Sequence, residues 1–348
     1  MPSPDKRTVV ITGGAGYIGS HVVLALMAAG YSPVIFDDFS GSSRSVLTRL
    51  QHMLGKPVPH VEIDLMDTGR LREVLTRVRP VAVVHLAIPP AIRITNGVPD
   101  RKAHGRALDD QVWMGFSLIQ AMEAVGCRTL VAASSAVVYA EDAEQPLREN
   151  AAKAWTRLPG NAFLALEDLY FDHQGRPEWR VGVLRLFDVV GAHSSQWLGP
   201  PMLRSSPDWL MELAHAAAGS SPHVCIRGRK LPTSDGTPVR DYVHVEDASK
   251  AFAKALDALD LYGESFAVNI ASGRAVSLIE ALLRFEKVSA RSIKTLYGDA
   301  IPDTPAASVA DVRLAGELLG WQAQHSLTSM CAHTWGWYES YMQRRLPV

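Results

Sequence analysis

Three glycines, Gly13, Gly16 and Gly19, carry the most specific chemical signal in this chain. They lie between a β-branched run, Thr8-Val9-Val10-Ile11-Thr12, and a stretch from Tyr17 to Ala29 whose apolar residues recur at helical spacing. Gly13 permits a tight turn. Gly16 lacks a Cβ, so the main chain can approach a pyrophosphate, and Gly19 lets the helix lie close to the strand. At the helix start, where Tyr17 and Ile18 lie, unpaired N–H groups and the helix dipole hold an anion. A second strand, Pro33–Phe36, ends in Asp37 and Asp38. A carboxylate there can accept both hydroxyls of an adenosine ribose. Asp37 repels a 2′-phosphate, which selects NAD over NADP.

Strands and helices alternate through the elements that must position these groups. After Asp38, a Ser/Gly-rich loop leads to a helix running to about Leu54, which Ser42 or Ser43 can cap. His60–Ile63 is a short strand closed by Asp64 and Leu65. Val81–Leu86 is an unbroken apolar run of the buried parallel kind and ends in Leu86-Ala87. Helices follow over Thr68–Val78 and Gly105–Val125, and strands over Thr129–Ser134 and Val181–Phe187. Later helices are expected at Trp209–Ala218, Asp247–Leu261, Ser277–Phe285 and Leu327–Arg345. This is the pattern of an α/β fold, with ligands held at the carboxyl ends of the strands.

With 348 residues, 47% hydrophobic and 20% charged, the chain is long enough for a large core and two lobes. A net charge of -1 with no long charge run gives no footprint for nucleic acid or an anionic membrane surface. No signal peptide is expected ahead of the first strand, and no apolar run approaches the ~20 residues of a membrane helix. Cys127, Cys225 and Cys331 show no metal-ligand spacing and read as small apolar residues of a reduced, cytoplasmic protein. The histidines form no zinc motif, so no metal is expected.

The glycine spacing, with Thr12 before it and Tyr17-Ile18-Gly19-Ser20-His21 after it, resembles the extended short-chain dehydrogenase/reductase superfamily. The nearest likeness is to the NAD-dependent epimerase/dehydratase branch that contains the UDP-glucose/UDP-galactose 4-epimerases. Ser134-Ser135-Ala136-Val137-Val138-Tyr139, Phe187-Asp188-Val189-Val190-Gly191 and Arg240-Asp241-Tyr242-Val243-His244 also fit that branch. The resemblance implies a Rossmann-type doubly wound parallel sheet with a smaller C-terminal α/β substrate-binding lobe. Residues 1–187 would form the NAD-binding domain and 188–348 mainly the substrate lobe, with some segments returning to the first. The loop carrying Asp38 and Ser42 would close over the adenosine end of the cofactor, Asp64 and Leu65 would touch adenine, Leu86 and Ala87 would line the nicotinamide side, and Phe187 would pack there. Ser135 would contact the reacting oxygen of the substrate. Arg240 would grip a diphosphate through a charge-assisted fork. A nucleotide-sugar substrate and a homodimer through two long helices are also implied.

The resemblance breaks at the catalytic pair. The superfamily places Tyr and Lys one helical turn apart, so that the ammonium lowers the phenol pKa from about 10 and a phenolate takes a hydroxyl proton. Register from Ser135 and Glu167 puts Pro159 where that Tyr belongs and Phe163 where the Lys belongs. None of the nine tyrosines is followed by Lys four residues later. Ile88-Pro89-Pro90 replaces the usual Gly and a nearby Lys, Asp188 replaces an Asn, and the segment 298–303 has no Arg. Tyr139 and His193, with Ser135, are the candidate catalytic groups; Tyr139 reads equally as a structural residue, and His193 and Asp188 as loop or substrate-binding polars. Two functions stay open. One is an NAD-dependent nucleotide-sugar enzyme with altered acid/base residues. The other is a catalytically silent relative that binds NAD or a sugar nucleotide.

Overall fold

The unbroken β-branched runs become the middle of a seven-stranded sheet. A computed structural model describes residues 7–88, 101–154, 160–172, 178–202, 208–300 and 305–344, the side chains of 101–108 excepted. The first half contains β1 (Thr8–Thr12), α1 (Tyr17–Ala28), β2 (Ser32–Asp37), α2 (Ser45–Leu54), β3 (His60–Glu62), α3 (Thr68–Val78) and β4 (Ala82–His85). It continues through α4 (Arg101–Ala124), β5 (Thr129–Ser135), α5 (Gly160–Asp172), β6 (Arg180–Leu186) and β7 (Asp188–Val190). Then come α6 (Trp209–Ala217), β8 (Val224–Arg227), β9 (Val239–Arg240), β10 (Tyr242–His244), α7 (Val245–Tyr262) and β11 (Phe266–Ile270). The chain ends with β12 (Val276–Ser277), α8 (Leu278–Ser289), β13 (Thr295–Gly298), β14 (Ala307–Ser308), α9 (Arg313–Leu319) and α10 (Leu327–Arg344).

The large sheet has the order β11-β6-β5-β4-β1-β2-β3, and every described pairing in it is parallel. Strand order reverses between β1 and β4, which opens a crevice at their carboxyl ends. Alternation along β1 splits the core between the two faces. Val9 and Ile11 pack with Val22, Val23 and Leu26 of α1 and with Phe252 and Leu256 of α7. Val10 faces the other way, with Leu71, Leu118, Leu130 and Tyr170. A third cluster, built on Trp209, Leu210, Phe285 and Trp337, holds the C-terminal lobe.

Two segments beyond residue 188 return to the first lobe. β11 extends the sheet beside β6, and α7 packs along α1. Element ends differ from expectation by a few residues. The second strand reaches Asp37, so that carboxylate is the last ladder residue and not the first loop residue. The long helix spans Arg101–Ala124 rather than Gly105–Val125. α7 starts at Val245 rather than Asp247, because the His244 side chain accepts the Glu246 N–H as its cap. α2 has no side-chain cap, since Ser42 is drawn away to Asp37. Among the described residues, no helix is long and apolar enough to cross a membrane.

Candidate dinucleotide and substrate crevice

The three glycines have three separate reasons to be glycine. Gly13 has φ +68°, and a Cβ there would come within 2.8 Å of the Ala87 nitrogen. The turn therefore lies directly on the Leu86-Ala87 backbone, joining three of the residues expected at the cofactor. A Cβ on Gly19 would meet the Gly13 carbonyl oxygen at 2.1 Å, so α1 cannot sit where it does with any larger residue. Gly16 differs. Its Cβ would meet only the Gly13 oxygen, at 3.1 Å, which leaves the outer side of the turn open. Gly16 also opens α1 with no side-chain cap, so the amides of Tyr17, Ile18 and Gly19 face outward for an anion.

Asp37 closes the far side of the turn. One carboxylate oxygen accepts the Ala15 N–H at 2.9 Å, and the other accepts the Phe39 N–H at 2.9 Å and the Ser42 hydroxyl at 2.8 Å. The side chain is buried, so the carboxylate is held in a fixed direction before any ligand arrives. Asp38 is exposed and binds only its own loop, through Ser40. Asp64 lies exposed on the rim and accepts the Met66 N–H, while Leu65 is a core residue whose backbone alone remains for a ligand. These residues fit a dinucleotide: an open anion cradle beside a pre-aimed carboxylate, with an apolar strand end opposite.

The nicotinamide end is built differently from expectation. Ser135 ends β5, half-buried, and its oxygen accepts the Val137 N–H at 3.3 Å. Tyr139, four residues later, is 4% exposed. Its hydroxyl donates to Asn269 Oδ1 at 2.6 Å and accepts from Arg185 Nη1 at 3.0 Å. Burial pushes that hydroxyl up to about 12, although the Arg185 charge pulls the other way. Phe163 on α5 joins Tyr139, Phe187, Val138 and Leu147 in one apolar cluster. Phe163 thus supplies packing at the position that register assigns to the family's lysine. Pro159, Pro89 and Pro90 fall outside the described residues.

Sequence reasoning passed over the polar network beneath this cluster. Glu167, one turn beyond Phe163, takes both Arg185 Nε and Nη2 at 2.9 and 2.7 Å and the Ser134 hydroxyl at 2.6 Å. Arg185 and Glu167 are each 2% exposed, so the pair is desolvated and mutually dependent. Lys153 brings an ammonium to 3.7 Å from Glu167, and its backbone forms an isolated antiparallel bridge with Tyr139. The alternating strand pattern hides Arg185, because a buried arginine looks like a break in an apolar run.

On the substrate side, His193 lies half-buried after β7, behind α1. Its Nδ1 accepts the Ser195 N–H at 3.1 Å, and its Nε2 faces Glu246 at 3.8 Å. Burial holds its pKa below the usual histidine value, against the pull of Glu246. Its ring lies 6.1 Å from His21, which is anchored to the Tyr17 carbonyl at 2.8 Å. His85 is buried at the end of β4 and bonded to Thr12 at 2.6 Å; burial lowers it to about 4, so it is a neutral packing residue. Asp188 stands exposed on the crevice, beside Tyr242 in register. Arg240 donates to the main-chain oxygens of Val239 and Pro305 at 2.8 and 3.1 Å.

His244, His325 and His333 bring ring nitrogens within 4.8 Å of one another. His244 Nδ1 accepts the Glu246 N–H at 3.1 Å, so the proton rests on Nε2, which lies 2.9 Å from His333 Nδ1. His244 and His325 are stacked, 4.0 Å apart and 16° from parallel. Stacked rings do not converge their lone pairs on one point, and a metal on Nε2 would disrupt the α7 cap. The cluster is a hydrogen-bonded imidazole stack.

The geometry has close relatives. A UDP-glucose 4-epimerase of Bacillus subtilis is 34% identical over 333 residues, covering 95% of this chain and 97% of that protein. A UDP-glucose 4-epimerase of Drosophila melanogaster is 32% identical, covering 95% and 96% of the two chains. The solved structure of the UDP-glucose-4-epimerase from Stenotrophomonas maltophila, with bound NAD and formylated UDP-arabinopyranose, superposes with a TM-score of 0.92. It is 32% identical over 97% of this chain and 99% of that one. The epimerase from Bifidobacterium longum, in complex with NAD+ and UDP, gives a TM-score of 0.87 at 29% identity, over 96% and 98% of the two chains. Residues 9–271 match the NAD dependent epimerase/dehydratase family. With a Rossmann-type sheet, a glycine cradle and relatives spanning nearly its whole length, the chain belongs to the NAD-dependent epimerase/dehydratase family and is UDP-glucose 4-epimerase-like.

Proposed function

We propose that this protein binds NAD in the β1–α1 crevice and a nucleotide sugar against the C-terminal lobe, without the tyrosine–lysine step of its relatives. The carrying observation is Phe163. It is 7% exposed and clusters with Tyr139 and Phe187, which supports reading an apolar ring at the position that register assigns to the family's lysine. NAD, when bound, supplies a hydride acceptor. Gly16 and the start of α1 would hold its pyrophosphate, and Asp37 its adenosine ribose. Arg240 would lend charge to the substrate diphosphate, and Ser135 would reach the sugar oxygen.

Turnover would then need another base, and the two candidates are already engaged. The Tyr139 hydroxyl gives its proton to Asn269, and the His193 lone pair accepts the Ser195 amide. This favours the reading as a binding protein, a regulator or partner subunit, over a working enzyme with altered acid/base residues. A homodimer through α4 and α5 belongs to the same proposal, with the half-exposed Trp113 on α4 as its apolar contact, as does a cytoplasmic setting. The test is a panel of UDP sugars on protein that has copurified with NAD. Tight NAD, bound UDP sugar and neither epimer nor ketone are expected. Conversion that vanishes in Tyr139→Phe or His193→Ala would establish the enzyme reading instead.

A further inference from the structure

α2 buries Val46, Arg49 and Leu50, so the spacing that makes its apolar stripe places an arginine inside that stripe. Arg49 is 8% exposed. Its guanidinium lies over the Trp337 ring of α10, 5.5 Å from the centroid. The indole is itself held fast. Its N–H donates to the Pro200 carbonyl at 3.0 Å, and a Cβ on Gly199 would come within 2.5 Å of the ring. Arg49 belongs to the first lobe, and Trp337 to the core of the C-terminal lobe.

The Arg49 charge is not compensated. Its Nε is buried without a hydrogen-bond partner, and no ion pair joins the side chain to a carboxylate among the described residues. Burial lowers its pKa, and Tyr341 alone pulls the other way. A cation over an indole recovers only part of what taking a guanidinium out of water costs. The rest is recovered when the planar fork of donors meets an oxyanion. The mouth of the same seam is basic as well. His52, one turn along α2, stacks on Trp197 with centroids 3.9 Å apart, and Arg344 of α10 lies over the same ring at 4.0 Å. His52 and Arg344 are both exposed, so an anion approaching the seam meets basic groups first.

We propose that Arg49 is the floor of an anion site in the seam between α2 and α10. Its ligand is a small oxyanion, a phosphate or a carboxylate, held by the guanidinium fork against Trp337. The inference does not rest on the nucleotide-sugar reading, because none of these residues is assigned to the dinucleotide or the sugar. An anion bound there ties the first lobe to the C-terminal lobe.

Thermal unfolding and titration calorimetry of the full chain test the site, with NAD and UDP in excess so that the nucleotide sites are filled. Inorganic phosphate and acetate are each titrated into a buffer free of both, at ionic strength held constant with sodium chloride. A saturable rise in Tm with a matching heat of binding is expected. A stronger response to phosphate identifies a tetrahedral ligand, and an equal or stronger response to acetate a carboxylate. Arg49→Lys keeps the charge but loses the fork, so Kd should weaken about tenfold. Arg49→Met should lose the response, yet melt close to wild type in the anion-free buffer, because it removes a buried unpaired charge. Arg49→Lys carries the test if the methionine variant does not fold. No saturable response in wild type overturns the site. An unchanged Kd in either variant overturns it too, since the anion then binds elsewhere.

Discussion

Replacing Asp37 by Ala should weaken NAD binding and also loosen the protein. The carboxylate serves three donors at 2.8–2.9 Å, and the substitution strands the amides of Ala15 and Phe39. Ala15 is 1% exposed, so water cannot replace the lost acceptor. One buried amide left unpaired costs about 1–3 kcal/mol, and the second, partly solvated, roughly 1 kcal/mol more. At roughly 2 °C per kcal/mol for a chain of this size, Tm should fall by about 4–8 °C. Loss of charge-assisted bonds to the ribose removes a further ~1.5–3 kcal/mol from binding, or about 10–150-fold in Kd. Calorimetric NAD titration at a temperature well below the transition measures the second effect apart from the first. Asp37→Asn, which keeps volume and one acceptor, should recover part of the Tm but little of the affinity. If Kd shifts by less than about threefold while Tm falls, Asp37 is a clamp for the turn alone and the ribose placement is wrong.

Gly16→Ala should fold, with a tight 3.1 Å contact to the Gly13 oxygen as its sole protein clash, and lose NAD affinity by about tenfold or more, because the rest of its Cβ would face the ligand. Gly19→Ala should fail earlier, with little folded protein recovered, since its Cβ meets the Gly13 carbonyl oxygen at 2.1 Å; circular dichroism of the pair distinguishes them. Tyr139→Phe should cost about 1–3 kcal/mol in denaturant unfolding, by leaving Asn269 and Arg185 short of a partner, with no change in NAD affinity. Stability should drop as pH falls from 6.5 to about 4. His21 and His85 are both held near 4 by burial, so the unfolded chain gains their protons first, at up to ~1.4 kcal/mol per unit pH for each. Asp208 opposes this. Its carboxyl is raised to about 7, so its folded form takes up a proton first and its penalty is relieved as pH falls below 7. Unfolding midpoints from about pH 8 to 4, in wild type and in His85→Gln, check the sign.

The nucleotide half was legible because its signals are local. A β-branched strand, a glycine turn and an apolar helix sit within one stretch, and each glycine has a steric reason to be there that spacing alone suggests. The sequence itself shows that no tyrosine has a lysine four residues on, and Phe163 continues the apolar stripe of α5. What escaped were partners distant in the chain. Tyr139 reads in sequence as either a base or a structural residue, with no partner nameable; only the fold brings Asn269, 130 residues on, to its hydroxyl. Glu167 and Arg185 read as ordinary charges on a helix and a strand, yet together they are the buried tie between α5 and β6. Ser42 shows the reverse error: a good local cap was outbid by a nearby carboxylate.

The hydroxyl of Tyr17 reaches across to the carbonyl of Gly191 at 2.5 Å, bracing the first turn of α1 against the passage from one lobe to the other. That brace sits on the same few residues that the pyrophosphate would press upon, and the passage it touches leads from Asp188 to His193. A push on that first turn is therefore carried directly to the passage leading into the second lobe.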